Sequence, residues 1–276
     1  MTDDNQKEGP QSKKDDWSER TGVQTTGILS RKDGRDIALF FTGRRHAGEN
    51  LGEVLARRAE EHGTPIQMCD ALSRNPPKAF EVILANCLAH SRRKFVKVAT
   101  RFPRECRYVL ETLAAVYNHD ATAKEEGLSP QERLRFHQEQ SGPLMDDLLV
   151  WLDHQIDDRL VEPNSPLGDA IDYMRDHWKK LTRFLEVPGA PLDNNVVEIA
   201  LKKAIIHRRN SLFYKTERGA AVGDAFMSLI YTASLSDIDP FRYLIALQKH
   251  PAELTANPED WMPWNYRETL ARIHEN

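Results

Sequence analysis

Cysteine is scarce in this chain: Cys69, Cys87 and Cys106 are the only three in 276 residues. An odd number without paired spacing excludes a disulfide framework and points to a reducing, cytoplasmic setting. Cys87 and His90 form a CxxH half-site, but no second CxxC or HxxxH pair accompanies it, so spacing offers no four-ligand zinc centre. No apolar run approaches the roughly 18 residues a membrane span requires, and no signal peptide opens the chain. Aromatic residues are only 8 %, while 40 % hydrophobic and 29 % charged residues make an ordinary globular balance.

Excess positive charge is also missing. The formal net charge is −4, which taken whole argues against a nucleic-acid partner. Its distribution argues the other way. Residues 87–108 carry seven Lys/Arg against one acid, and residues 198–218 carry six against two. Between them, residues 110–193 carry 17 acids against eight basic residues. Two basic segments around an acidic one suit a DNA footprint on an otherwise acidic surface, although solvated helix faces account for such runs equally well.

Residues 1–21 are polar, with little to bury, and read as a disordered leader. Residues 22–30 and 36–42 alternate as strands around an Asp33-Gly34 turn, the pattern of a hairpin. Residues 46–62 have helical apolar spacing, and residues 65–70 and 81–87 are short buried-strand candidates. Beyond His90 the pattern is helical: 91–101, 104–118, 130–158 with a break at Gly142-Pro143, 167–185, 195–207, 219–235 and 240–249. Residues 257–267 are aromatic but too irregular for a helix, so an extended arm is expected. Trp151 and Trp178 read as core of the helical block.

The most informative stretch is residues 191–211, PLDNNVVEIALKKAIIHRRNS. Asn195 and Glu198 stand at i, i+3, the spacing of a capping box, and an acid in a first helical turn complements the helix dipole. The same placement suits a carboxylate that holds a metal ion, with Lys202, Lys203, His207, Arg208 and Arg209 behind it to meet phosphates. Asp193, Asn194 and Asn195 are read as shaping the turn that aims Glu198. Asp70 ends a hydrophobic strand, and taken alone it is an ordinary loop acid.

Several segments together resemble the transposases of insertion-sequence family sixty-six, within the DDE superfamily. They are FFTGRRHAGENL, PIQMCDALSRN, CLAHSRRKF, VEPNSPLGDAIDYMRDHW, the DNN…E motif and HRRNSLFYKTERGA, in that order. The resemblance implies an α+β, ribonuclease H-like mixed sheet that lacks its first strand and is interrupted by a large all-helical insertion. The implied division is a core at 22–102, the insertion at 103–190, the glutamate-bearing helix and its followers at 191–250, and an arm at 251–276.

By the same resemblance, Asp70 and Glu198, 128 residues apart, are the second and third of three metal-binding carboxylates. Two Mg²⁺ or Mn²⁺ ions are implied, converging on both acids. His90, Arg92, Arg93 and Lys94 would lie nearby against DNA. The implied activity is cleavage and strand transfer at transposon ends, by a homo-oligomer in the bacterial nucleoid.

Two departures stand out. Ile199 follows the glutamate where the family has arginine, and the family's first aspartate has no counterpart. Asp3, Asp4, Asp15 and Asp16 lack a flanking β-branched run. The expectation is therefore an N-terminally truncated chain, inactive in cleavage by itself. The alternative is a remnant that only binds DNA.

Overall fold

The computed structural model describes residues 22–210 and 214–275, so the proposed leader at 1–21 lies outside it. The fold is α+β and mostly helical, with four short strands and twelve α-helices among the described residues. The contacts divide it into two units. One holds residues 22–26, Ser30–His46, 207–210 and 214–275, and the other holds Gly27–Leu29 and Ala47–Ile206. No described helix is long and apolar enough to cross a membrane.

The first two strands, β1 (Gln24–Lys32) and β2 (Arg35–Gly43), form the expected hairpin. Its two-residue turn puts Asp33 at φ 51° and Gly34 at φ 75°. Both angles belong to a type I′ turn, which follows the natural strand twist. The next two strands, β3 (Ile66–Cys69) and β4 (Ile83–Asn86), pair in parallel, with Cys69 opposite Asn86. The single mixed sheet that was expected is not formed among the described residues. There are two separate two-stranded sheets instead.

The free edge of β2 is satisfied by a helix rather than a strand. Helix α9 (Glu217–Leu235) lays one polar row along it. The amides of Ala38 and Phe40 donate to Thr232 Oγ1 (3.1 Å) and Ser228 Oγ (3.0 Å). The Thr42 amide and hydroxyl both donate to the Asp224 carboxylate, the latter at 2.7 Å. Helix positions four apart advance about 6 Å and strand positions two apart about 6.6 Å, so the two rows stay in step. Unpaired edge amides would otherwise invite aggregation.

The second unit is built on helices α2 (Leu88–Val98), α3 (Pro103–Glu125), α4 (Pro130–Gln140), α5 (Gly142–Asp157) and α6 (Pro166–Asp176). The expected break falls at Ser141. Helix α3 buries Cys106, Val109, Leu113 and Val116 at helical spacing. They pack with Phe95 of α2, Leu148 and Leu152 of α5, and Ile171 and Met174 of α6. Trp151 and Trp178 border this core, half-buried.

Three readings need correction. Helix α1 spans only Ala47–Leu55, because the chain turns after Leu55 and the Arg58 guanidinium caps the carbonyls of His62 and Gly63. Helix α6 stops at Asp176, and α7 (Trp178–Leu181) and a 3-10 turn at Arg183–Leu185 follow it. Helix α10 (Pro240–Lys249) falls where expected, but the arm after it is helical, with α11 (Pro251–Ala256), a 3-10 turn at Pro258–Trp261 and α12 (Tyr266–Glu275). Prolines at helix starts punctuate it. Trp261 is buried against Tyr243 and Tyr266, and the Tyr243 hydroxyl donates to the Trp261 carbonyl at 2.8 Å.

A buried ionic cluster joins α3 to α4. Asp120 receives Arg133 Nε (2.9 Å) and Nη2 (2.6 Å), Lys124 Nζ (2.6 Å) and the His137 ring (3.3 Å). Burial pushes the Asp120 carboxyl up, but His137, Lys124 and Arg133 together hold it well below its usual value of 3.8. Asp120→Asn is expected to cost about 3–5 kcal/mol in denaturant unfolding, because it strands buried cations. The folded pKa is depressed, so this stabilisation is present above the unfolded carboxyl's pKa and is lost as pH falls towards the folded one. Thr232→Val, which leaves the Ala38 amide unpaired, is expected to cost about 1–3 kcal/mol. Ser234→Ala, on the exposed side of α9, is expected to stay within about 0.5 kcal/mol.

Candidate active site

The site lies at the C-terminal end of the β3–β4 pair. The Cys87 amide donates to the Cys69 carbonyl (3.0 Å), extending the ladder one step past both strands. Asp70 therefore leaves the end of β3 beside the point where Cys87 leaves β4. The Leu88 amide then donates to the Leu192 carbonyl at 2.9 Å, which brings residues 192–195 alongside. Helix α8 (Asn195–Asn210) starts there.

Glu198 lies in the first turn of α8, but the capping box is not formed. Asp193 does the capping: its carboxylate accepts the Asn195 amide (3.1 Å) and the Asn195 side-chain amide (2.7 Å). The first helical bond runs from the Glu198 amide to the Asn194 carbonyl at 3.0 Å. Glu198 is thereby released from backbone duty. Its two carboxylate oxygens accept Arg93 Nη2 from α2 at 2.9 and 2.7 Å. His90 Nδ1 lies 3.5 Å from Glu198 Oε1, buried and without a hydrogen-bond partner.

Cys87, His90 and Glu198 bring their ligating atoms within 4.8 Å of one another, the one such cluster of three among the described residues. Asp70 does not join it. Its carboxylate accepts the Asn75 side-chain amide, which closes the loop after β3. That loop is pinned by Gly48, whose amide donates to the Arg74 carbonyl at 3.1 Å. A Cβ at Gly48 would come within 2.3 Å of the Pro76 carbonyl oxygen, so only glycine allows this approach. The second glycine of the FFTGRRHAGENL segment thus holds the loop that carries Asp70.

Two tyrosines that the sequence reading passed over frame the site. Burial, and then the Asp70 charge, push the Tyr173 hydroxyl up, while Lys94 Nζ sits 4.2 Å from the Tyr173 ring centre. Burial, and then Asp193, push Tyr117 up as well, and Arg92 opposes this. The Cys69 thiol is raised to about 11, first by burial and then by Asp70. The VEPNSPLGDAIDYMRDHW segment was the signal for Tyr173. Nothing local distinguished Tyr117 from a core residue of α3.

The basic residues fall into different roles. Arg93 is committed to Glu198, and Lys94 to Tyr173. Arg92, Lys202 and Lys203 are exposed within the same unit as the carboxylates, and Lys202 stands one turn along α8 from Glu198. His207, Arg208 and Arg209 close the last turn of α8, where Arg208 Nη1 donates to Thr25 Oγ1 at 2.9 Å. They count with the other unit. Ile199, in place of the family's arginine, is 53 % exposed.

This chain belongs to the family described as Transposase IS66 family, whose pattern matches residues 13–222. It is similar to the uncharacterized proteins y4jD and y4hP of Sinorhizobium fredii (strain NBRC 101917 / NGR234). With y4jD it shares 34 % identity over 189 residues, covering 67 % of this chain and 36 % of the relative. With y4hP it shares 32 % over 209 residues, covering 70 % and 37 %. The chain therefore spans a little over a third of the length of these curated relatives. No solved structure matches it.

The Arg93–Glu198 pair is part-exposed, at 44 % and 22 %. Such a pair contributes up to about 1 kcal/mol. Glu198→Gln is therefore expected to leave unfolding stability within about 1 kcal/mol of wild type. A loss of several kcal/mol would make Glu198 a structural clamp rather than a functional acid.

Proposed function

We propose that this chain supplies two of the metal-binding carboxylates of a DDE-type DNA transposase, Asp70 and Glu198, on a ribonuclease H-like core. The observation that carries the reading is the position of Glu198. It opens α8, is freed from capping by Asp193, and lies beside Cys87 and His90 just past the end of β4, the strand paired with the one that Asp70 follows. Membership of a transposase family supports the same assignment. On this reading residues 22–102 and 191–250 belong to the core, 103–190 form the inserted helical block, and the intact protein works on transposon ends as an oligomer.

Two carboxylates offer hard oxygen donors, which suits Mg²⁺ or Mn²⁺. When bound, such ions activate a water and stabilise the departing oxygen of a phosphodiester. The chain's own residues do the positioning. Arg93 fixes the Glu198 carboxylate before any ion arrives, and Asn75 fixes that of Asp70. Arg92, Lys202 and Lys203 are proposed to meet phosphates, together with His207, Arg208 and Arg209 from the end of α8.

Residues 1–276 alone are proposed to bind duplex DNA without cleaving it, because the resemblance calls for three carboxylates and two are matched. Duplex binding is expected to weaken steeply with salt. Replacing Arg92, Lys202 and Lys203 by alanine should reduce the slope of log affinity against log salt by about 2–3, at roughly 0.9 per phosphate contact. A flat salt response would remove DNA as the ligand. Mg²⁺-dependent nicking by 1–276, abolished by Asp70→Asn, would overturn the non-cleaving reading while supporting the role of Asp70.

A further inference from the structure

We infer that Cys87, His90 and Glu198 form a binding site for a thiophilic divalent cation of the zinc class, one that takes Glu198 as a ligand and needs nothing from Asp70. By spacing alone, Cys87 and His90 were a half-site. The fold completes it by delivering a carboxylate from far along the chain. The three ligating atoms lie within 4.8 Å of one another. Tetrahedral zinc needs N and O ligands about 3.3 Å apart and S and N ligands about 3.6 Å apart, from its usual bond lengths. His90 Nδ1 and Glu198 Oε1 already stand at 3.5 Å.

The surroundings agree with a cation. His90 Nδ1 is a buried ring nitrogen with no hydrogen-bond partner, facing the carboxylate and the sulfur. Cys87 is only 1 % exposed, so its sulfur is shielded from solvent. Three protein ligands leave one position for water, the pattern of an open zinc site. A carboxylate has about four lone-pair sites, so Glu198 can keep Arg93 while it takes a metal. Binding releases the Cys87 thiol proton to solvent, because the thiolate is the ligand. Mg²⁺ and Mn²⁺ prefer all-oxygen sets and would not choose this one.

The site stands or falls independently of the DNA-cleavage reading, and Co²⁺ titration of the reduced 276-residue chain tests it. One equivalent of Co²⁺ is expected to give the intense visible bands of a tetrahedral site and a thiolate-to-cobalt charge-transfer band. Cys87→Ser should abolish the charge-transfer band, while Cys69→Ser and Cys106→Ser should keep it. His90→Gln and Glu198→Gln, at part-exposed positions, should each weaken Co²⁺ by more than about tenfold, the scale at which even outer-shell losses act. Asp70→Asn should leave the spectrum unchanged. A weak octahedral spectrum without charge transfer, or a spectrum indifferent to Cys87 and His90, would overturn the site. A signal that depends on Asp70 but not on Cys87 would overturn it too, while leaving the cleavage reading standing.

Discussion

The Leu88 amide donates to the Leu192 carbonyl at 2.9 Å, and the candidate site is organised around that closure. It joins the residue that opens α2 to the residue that precedes the Asp193 turn. It ties the start of α8 to the end of β4, and the Arg93–Glu198 pair adds a second tie. With it, the acids and bases of two distant motifs share one end of a parallel strand pair. A single buried backbone bond contributes only about 1 kcal/mol net. Its importance is geometric: both motifs inherit the precision of the ladder, which the Cys87–Cys69 bond extends at 3.0 Å.

The local chemistry of the Asp193 turn then decides what Glu198 is available to do. An acid in a first helical turn ordinarily serves the backbone. Here Asp193 takes the Asn195 amide, so Glu198 turns to Arg93 and His90. An acid that the helix does not need, held by an arginine from another element, is suited to give up or share its partner when a cation arrives. The same freedom underlies both proposed uses of this carboxylate, with Asp70 for hard ions and with Cys87 and His90 for soft ones.

Much of the frame was legible in the residues. Asp33-Gly34 announced its turn, Gly142-Pro143 its helix break, and the apolar spacing of α3 its buried face. What escaped was long-range or depended on which partner won. Asn195 and Glu198 fit a capping box by spacing, and only the competing Asp193 side chain, two residues before Asn195, defeats it. The Arg93–Glu198 pair joins charges from distant segments, and Asp120 reaches Arg133 and His137 of the next helix, which no local pattern encodes. The polar row Asp224, Ser228 and Thr232 lies at ordinary helical spacing, and only the fold makes it the partner of β2. The aromatic C-terminal segment misled because Trp261 and Tyr266 pack from short proline-started helices rather than from an extended arm.

The central proposal is that Asp70 and Glu198 serve a common metal centre. Crystals of the chain soaked in Mn²⁺ and measured for anomalous scattering test it most directly. The account predicts a manganese peak with oxygen ligands from both carboxylates, directly or through one bound water. Manganese bound at neither residue, or carboxylates more than about 12 Å apart and so beyond any two-metal spacing, would contradict it.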